Sequence, residues 1–185
     1  MSRHGILSLD LATRLGWAYG DARKGHPVSG WHQLPKTGEE LGPFAAAYDQ
    51  WLTEMLAEAL PGLVVFEEPI PPTAGRSTMT TICKLTGLCW HTEYVCQQRG
   101  IDVRKVHGGT WKSHFVGGKQ KVSKAIKPYP VTVRCHQLGW TAVSDDNEAD
   151  ALGLWSYACS VVAPGAALRL TPLFAAAPQT ERPVA

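Results

Sequence analysis

Apolar and polar positions fall in blocks whose period changes along the chain, and the period predicts each element. Ile6-Leu7-Ser8-Leu9-Asp10 is a short β-type run ending on an acid. A polar turn at Ala12-Thr13-Arg14 separates it from Gly16-Trp17-Ala18-Tyr19-Gly20, and Gly30-Trp31-His32-Gln33-Leu34 makes a third run. Short runs joined by polar turns predict a three-stranded antiparallel meander. The spacing then lengthens. Phe44, Tyr48, Trp51, Met55, Leu56 and Ala59 form one stripe at helical spacing. Ahead of it, Thr37-Gly38-Glu39-Glu40 has the form of a capping box, and Pro43 suits a first helical turn.

Pro61-Gly62 breaks the chain before Leu63-Val64-Val65-Phe66. Four apolar residues in a row suit a central strand covered on both faces. This run ends in Glu67-Glu68-Pro69, and a proline-rich stretch through Thr73-Ala74-Gly75-Arg76 reads as an exposed loop. A second helix is expected over 77–99, with Ile82, Leu85, Cys89, Thr92 and Cys96 on one face. Gly100 ends it, and 101–106 reads as a fifth strand. A glycine- and lysine-rich stretch follows, then helical spacing over 122–127, interrupted by Pro128 and Pro130 and resumed over 131–138. The last helix starts at Asp145-Asp146-Asn147-Glu148-Ala149-Asp150 and runs into Leu152, Leu154, Trp155, Tyr157, Ala158 and Val161. Beyond Val162, 11 of the last 23 residues are Ala or Pro. We therefore expect one domain over 1–162 and a loosely held tail over 163–185.

Composition narrows the class. With 44% hydrophobic and 18% charged residues, the 185-residue chain reads as a globular protein. No apolar run approaches the ~20 residues of a membrane span. The first residues hold no signal-peptide core, so a cytoplasmic location and no membrane partner are expected. The cysteines Cys83, Cys89, Cys96, Cys135 and Cys159 form no CxxC pair and read as free thiols. The net charge of +2 hides an asymmetry. Residues 99–134 hold nine of the 18 Lys and Arg residues and a single acid, Asp102. Such a basic zone is either a solvated face or a surface for a polyanion.

The acids decide between these. A three-strand meander, a helix, a buried strand, a helix and a further strand predict an α/β fold with a five-stranded mixed sheet flanked by helices. Asp10 and Glu67 would end two of its strands, where such sheets gather functional groups. Acids at a helix start are ordinary, because the helix dipole favours negative charge there. Yet Asp146 and Asp150, four apart, share a face and can meet the strand acids. Carboxylates held this close repel one another unless a cation joins them. All-oxygen ligands suit Mg²⁺ or Mn²⁺, and a pair of such ions drives phosphodiester cleavage. Basic zone and acids together point to a metal-dependent nuclease.

The run through Asp10 with Gly16-Trp17-Ala18, then Val64-Val65-Phe66-Glu67-Glu68-Pro69, then Asp145 to Leu152, resembles the RuvC family of Holliday junction resolvases, closest to its compact phage and prophage forms. The resemblance spans roughly residues 5–160 and implies an RNase H-like sheet of order 3-2-1-4-5. It implies a homodimer that nicks a four-way DNA junction in pairs, with Mg²⁺ or Mn²⁺ in a two-ion site. By motif position Asp10, Glu67 and Asp150 are similar to the family's catalytic metal ligands. The family commonly has Asp or His three residues before the last aspartate, and here Asn147 stands there. Either Asp146 completes the site or Asn147 offers a neutral oxygen, and Asp146 is the preferred expectation.

The stretch Gly117-Gly118-Lys119-Gln120-Lys121 is similar to the family's basic loop, so Lys119 or Lys121 would hold the scissile phosphate unless the loop is only solvated. Arg76 falls where the family meets the junction centre, and Lys112 and Lys124 complete the candidate DNA contacts. Trp111 and Phe115 either stack on unpaired bases or pack in the core. His107 and His114 either assist proton transfer or are surface histidines. The helix bearing Ile82, Leu85 and Cys89 would serve a dimer interface or the monomer core. Two rivals share these residues: another RNase H-fold nuclease acting on branched DNA or RNA–DNA hybrid, and a non-catalytic nucleic-acid-binding relative.

Overall fold

A computed structural model of the protein describes residues 4–69, 78–118 and 122–167. Five strands form one sheet: β1 Gly5–Asp10, β2 Arg14–Asp21, β3 Val28–Gln33, β4 Leu63–Glu67 and β5 Asp102–Val106. Their order is β3-β2-β1-β4-β5. The first three strands pair antiparallel, while β1 with β4 and β4 with β5 are parallel. The meander and the mixed sheet are as the hydrophobic pattern predicts.

Alternation along the strands divides the core in two. Leu7, Leu9, Val64 and Phe66 face a layer built by helices α1 (Leu41–Ala59) and α2 (Met79–Gln98). Ile6 and Val65 face the other layer, built by α3 (Gly108–Val116), α4 (Pro130–Gln137) and α5 (Asp146–Val162). Because both sheet faces are covered, β1 and β4 are apolar almost throughout. Ser8 is the buried exception in β1, and its hydroxyl donates to Ala151 O of α5 at 2.7 Å. The same alternation carries Asp10, two residues past Ser8, and Glu67, two past Val65, onto the α5 side.

Local chemistry moves several boundaries. The expected capping box before α1 does not form. Glu40 is the N-cap without a side-chain cap bond, and the Thr37 hydroxyl donates to Glu40 O at 2.6 Å, closing a turn instead. Leu52, absent from the expected stripe, is fully buried, whereas Trp51 and Met55 are only partly so. Helix α2 is capped by Thr78, which accepts from Thr81 N. Its buried face runs through Leu88, Cys89, Thr92, Val95 and Cys96, leaving Leu85 exposed.

One assignment is corrected and one unassigned stretch is resolved. Residues 122–127 are turn and bend rather than helix, since a helix there would run directly into Pro128 and Pro130. The Gly108–Val116 stretch is a helix despite its two opening glycines, because His107 caps it by accepting from Gly109 N. A short helix, α6 Pro164–Ala167, also stands within the stretch expected to be loose tail. No helix among the described residues is long and apolar enough to cross a membrane.

Leu52→Ala should lower unfolding stability by about 2–5 kcal/mol, the usual result of emptying a fully buried leucine site. Urea denaturation checks this, and an unchanged midpoint would contradict the assigned α1 core face.

Candidate active site

The site begins with strand register. In the parallel pair β1 and β4, Leu9 lies beside Phe66, so the next residues, Asp10 and Glu67, end adjacent strands on one face. On the other side, Asp10 pairs with Gly16 of β2. That glycine is required by a close approach. A Cβ at position 16 would overlap the Asn147 carbonyl group, so only glycine lets the first turn of α5 lie directly on the sheet. The helix thereby brings Asn147 and Asp150 to Asp10.

Asp150 is almost wholly buried, at 3% exposure. Such a charge needs partners on both oxygens. Tyr129, just before α4, donates to Asp150 Oδ1 at 2.6 Å. The Lys124 ammonium lies 3.0 Å from Asp150 Oδ2 and donates to Asp10 Oδ2 at 3.1 Å and Asn147 Oδ1 at 2.6 Å. One cationic group thus holds three oxygens from β1 and α5.

Glu67 is set from the far side by α3. Trp111 Nε1 and Lys112 Nζ both donate to Glu67 Oε2, each at 3.0 Å. A Cβ at position 108 would overlap the Glu67 carboxylate, so Gly108 lets the helix N-terminus close on that acid. The helix dipole and free N–H groups favour negative charge there.

The electrostatics match this crowding. Burial, reinforced by Asp150 and Glu67, pushes the Asp10 carboxyl up to about 6 against the opposing pull of Lys124. Burial also raises Asp150, opposed by Lys124 and Tyr129. For Lys124, burial disfavours the charge, but Asp10 and Asp150 outweigh it and hold the ammonium more firmly charged than usual. Burial and Asp150 keep the Tyr129 phenol far above its ordinary range, so it acts as a donor.

The other acids at the start of α5 have separate work. Asp145 caps the helix by accepting from Asn147 N and Glu148 N, and pairs with Arg14 Nε at 2.8 Å. Glu148 accepts from the Ser29 hydroxyl at 2.7 Å. Asp146 turns to Lys127 at 2.6 Å and Thr132 at 3.4 Å. Of the two residues left open by the sequence, Asn147 is therefore the one that joins Asp10 and Asp150 through Lys124.

Among the described residues, no three Asp, Glu, His or Cys side chains are grouped as a ready-made ion cage. The Lys124 ammonium stands between Asp10 and Asp150 instead. As a stand-in cation it shows that these oxygens accept positive charge, and an all-oxygen donor set fits Mg²⁺ or Mn²⁺.

The candidate DNA contacts Lys112 and Lys124 both lie at this floor, paired to Glu67 and to Asp10 with Asp150. Arg76, Lys119 and Lys121 lie outside the described residues. Trp111 and Phe115 are buried, His107 caps α3, and His114 packs edge-on against Tyr157. Sequence reasoning missed Tyr129 and the donor role of Trp111. Tyr129 sits between two prolines with no periodicity to mark it. Trp111 beside Lys112 at the start of a basic run was the available signal.

Solved structures share this architecture. Thermus thermophilus RuvC in complex with a Holliday junction substrate matches with a TM-score of 0.65 at 14% identity, covering 85% of this chain and 94% of that one. A second Thermus thermophilus RuvC structure gives 0.61 at 16% identity, covering 85% and 95%. The yeast mitochondrial Holliday junction resolvase Ydc2 gives 0.54 at 12% identity, covering 89% and 83%. No protein-family model and no curated protein sequence matches the chain. The likeness shows the fold: this is the RNase H-like sheet of RuvC, with order 3-2-1-4-5.

Gly16→Ala should destabilise the fold by about 1–3 kcal/mol, because the added methyl must lift α5 from β2. Thermal melting checks this. A wild-type melting temperature would contradict the close approach that brings Asn147 to Asp10.

Proposed function

We propose that the chain is a divalent-metal-dependent endonuclease that resolves four-way DNA junctions by paired phosphodiester cleavage, working as a homodimer. The observation that carries this reading is the convergence of Asp10, Glu67 and Asp150, from two strand ends and a helix, on one face of an RNase H-like sheet. Carboxylates gathered in this way need positive charge to offset their repulsion, and Lys112 and Lys124 balance only two of the three.

Asp10, Glu67 and Asp150, with the neutral oxygen of Asn147, would hold the metal. When bound, Mg²⁺ or Mn²⁺ supplies an activated water and neutralises charge developing on the phosphate. The chain's own residues fix the geometry. Tyr129 orients Asp150, while Trp111 and Lys112 orient Glu67. In the hydrolysis the water oxygen bonds to phosphorus and one P–O bond to a sugar breaks. The water gives up a proton and the leaving oxygen takes one. Lys112 and Lys124 place positive charge where the phosphate approaches, and Arg76, Lys119 and Lys121 are proposed as further contacts from sequence alone.

The dimer is proposed for the opposite layer. Leu41 and Trp90, exposed by 43% and 59%, line an apolar groove of about 470 Å³ between α1 and α2, and α2 also exposes Met79 and Tyr94 by 73% and 55%. Apolar patches of this kind mark interfaces, and a second copy supplies the two-fold symmetry that paired nicks require.

Incubation with a synthetic mobile four-way junction and Mn²⁺ should give symmetric nicks on opposed strands. Asp10→Asn, Glu67→Gln and Asp150→Asn should each abolish nicking while junction binding in gel shifts persists. Nicking retained by any of the three would refute its ligand role, and cleavage of RNA–DNA hybrid in place of the junction would move the substrate to another class. Trp90→Glu should shift sedimentation from dimer to monomer; an unchanged dimer would exclude the α1–α2 face.

A further inference from the structure

Lys124 is more deeply committed than a lysine awaiting DNA. An ammonium has three N–H donors, and here all three have acceptors in Asp10 Oδ2, Asp150 Oδ2 and Asn147 Oδ1, at 3.1, 3.0 and 2.6 Å. Oxygens from two elements surround one positive centre, as they would a metal ion. We propose that Lys124 is a resident cation occupying one of the two positions that divalent ions fill in two-metal phosphodiesterases, so that this protein takes a single divalent ion. The inference rests on the nuclease reading above and replaces its two-ion expectation: Asp150 and Asn147 then hold the lysine, and the one divalent ion is held by Asp10 and Glu67.

Three observations carry it. The first is the supply of oxygens. Asp150 has both oxygens engaged, one by Tyr129 and one by Lys124. Glu67 has Oε2 engaged by Trp111 and Lys112. Among the described residues, Asp10 Oδ1 and Glu67 Oε1 take no hydrogen bond. One oxygen on each strand acid is enough to anchor a hydrated divalent ion, which usually keeps several waters and binds through one or two carboxylates.

The second is Asn147. An amide offers the ammonium an oxygen without a further negative charge, which suits a monovalent occupant. A carboxylate at that position would suit a divalent one.

The third is charge balance. Asp10, Glu67 and Asp150 with Lys112 and Lys124 leave a net charge of minus one. A single divalent ion and one phosphodiester bring the sum to zero. Two divalent ions, the second in place of Lys124, would with the same phosphodiester leave it at plus one. Asp146 does not enter the count, being paired with Lys127.

The test is metal stoichiometry. The full-length protein, Lys124→Met, and Lys124→Met combined with Asn147→Asp are titrated with Mn²⁺ by calorimetry, and the bound ions are examined by electron paramagnetic resonance. The wild type should bind one Mn²⁺ per chain with the spectrum of an isolated ion. The double variant, which removes the resident cation and supplies a carboxylate, should bind two with an exchange-coupled spectrum. Lys124→Arg, which keeps the charge, should stay at one ion and guards against misfolding of the neutral variants. Two ions on the wild type overturn the proposal, because Lys124 must then be displaced. One ion on both wild type and folded double variant removes the lysine's role while leaving the nuclease reading intact. No ion on the wild type overturns this inference and the metal-dependent reading with it.

Discussion

Like charges at the ends of adjacent parallel strands are the constraint on which this molecule is built. Sheet register makes Asp10 and Glu67 neighbours, and α5 lowers Asp150 onto the same face. Removing one partner of a buried charge pair typically costs about 3–5 kcal/mol, because the other charge is left uncompensated. Exposed pairs such as Lys105–Glu93 contribute about 1 kcal/mol at most. The cluster at Asp10 and Asp150 is therefore the electrostatic decision of the fold, and the surface pairs are not.

The surrounding structure answers that constraint at each acid. A phenol, an indole N–H and two ammonium groups are delivered from α3 and the chain between α3 and α4. Two glycines then set the approach distances. Gly16 admits α5 to the sheet, and Gly108 admits α3 to Glu67. The basic zone between Arg99 and Arg134 takes on a different meaning in this light. Much of its charge is directed at acids within the molecule, with Lys112 on Glu67, Lys124 on Asp10 and Asp150, and Lys127 on Asp146. A linear charge count reads a surface for a polyanion, while the fold makes part of that charge the floor of a site.

The strands and the acids that close two of them were legible in the sequence because they follow from short-range periodicity, whereas the strand order was implied by the resemblance to the RuvC family. The Leu63–Glu67 strand announces its double burial by an unbroken apolar run, and the acid closing it stands out against that background. What was not legible depends on contacts distant along the chain. Helix α3 hides behind Gly108 and Gly109, whose helix propensity is poor; Gly108 is explained by the nearby Glu67 carboxylate, while Gly109 lies against the His107 ring. The choice between Asp146 and Asn147 turns on a helix rotation of one residue, below the resolution of any pattern of apolar spacing. Between α3 and α5 two prolines interrupt the helical spacing, and both Tyr129 and Lys124 come from that interrupted stretch.

We propose that Asp10 and Glu67, beside Asp150, hold a divalent ion where a DNA backbone can reach it. Diffraction from Mn²⁺-soaked crystals at the manganese absorption edge tests this most directly. The account predicts an anomalous peak in coordinating contact with the carboxylates of Asp10 and Glu67, beside Asp150. Ordered carboxylates at those positions with no peak among them at saturating Mn²⁺ would contradict it.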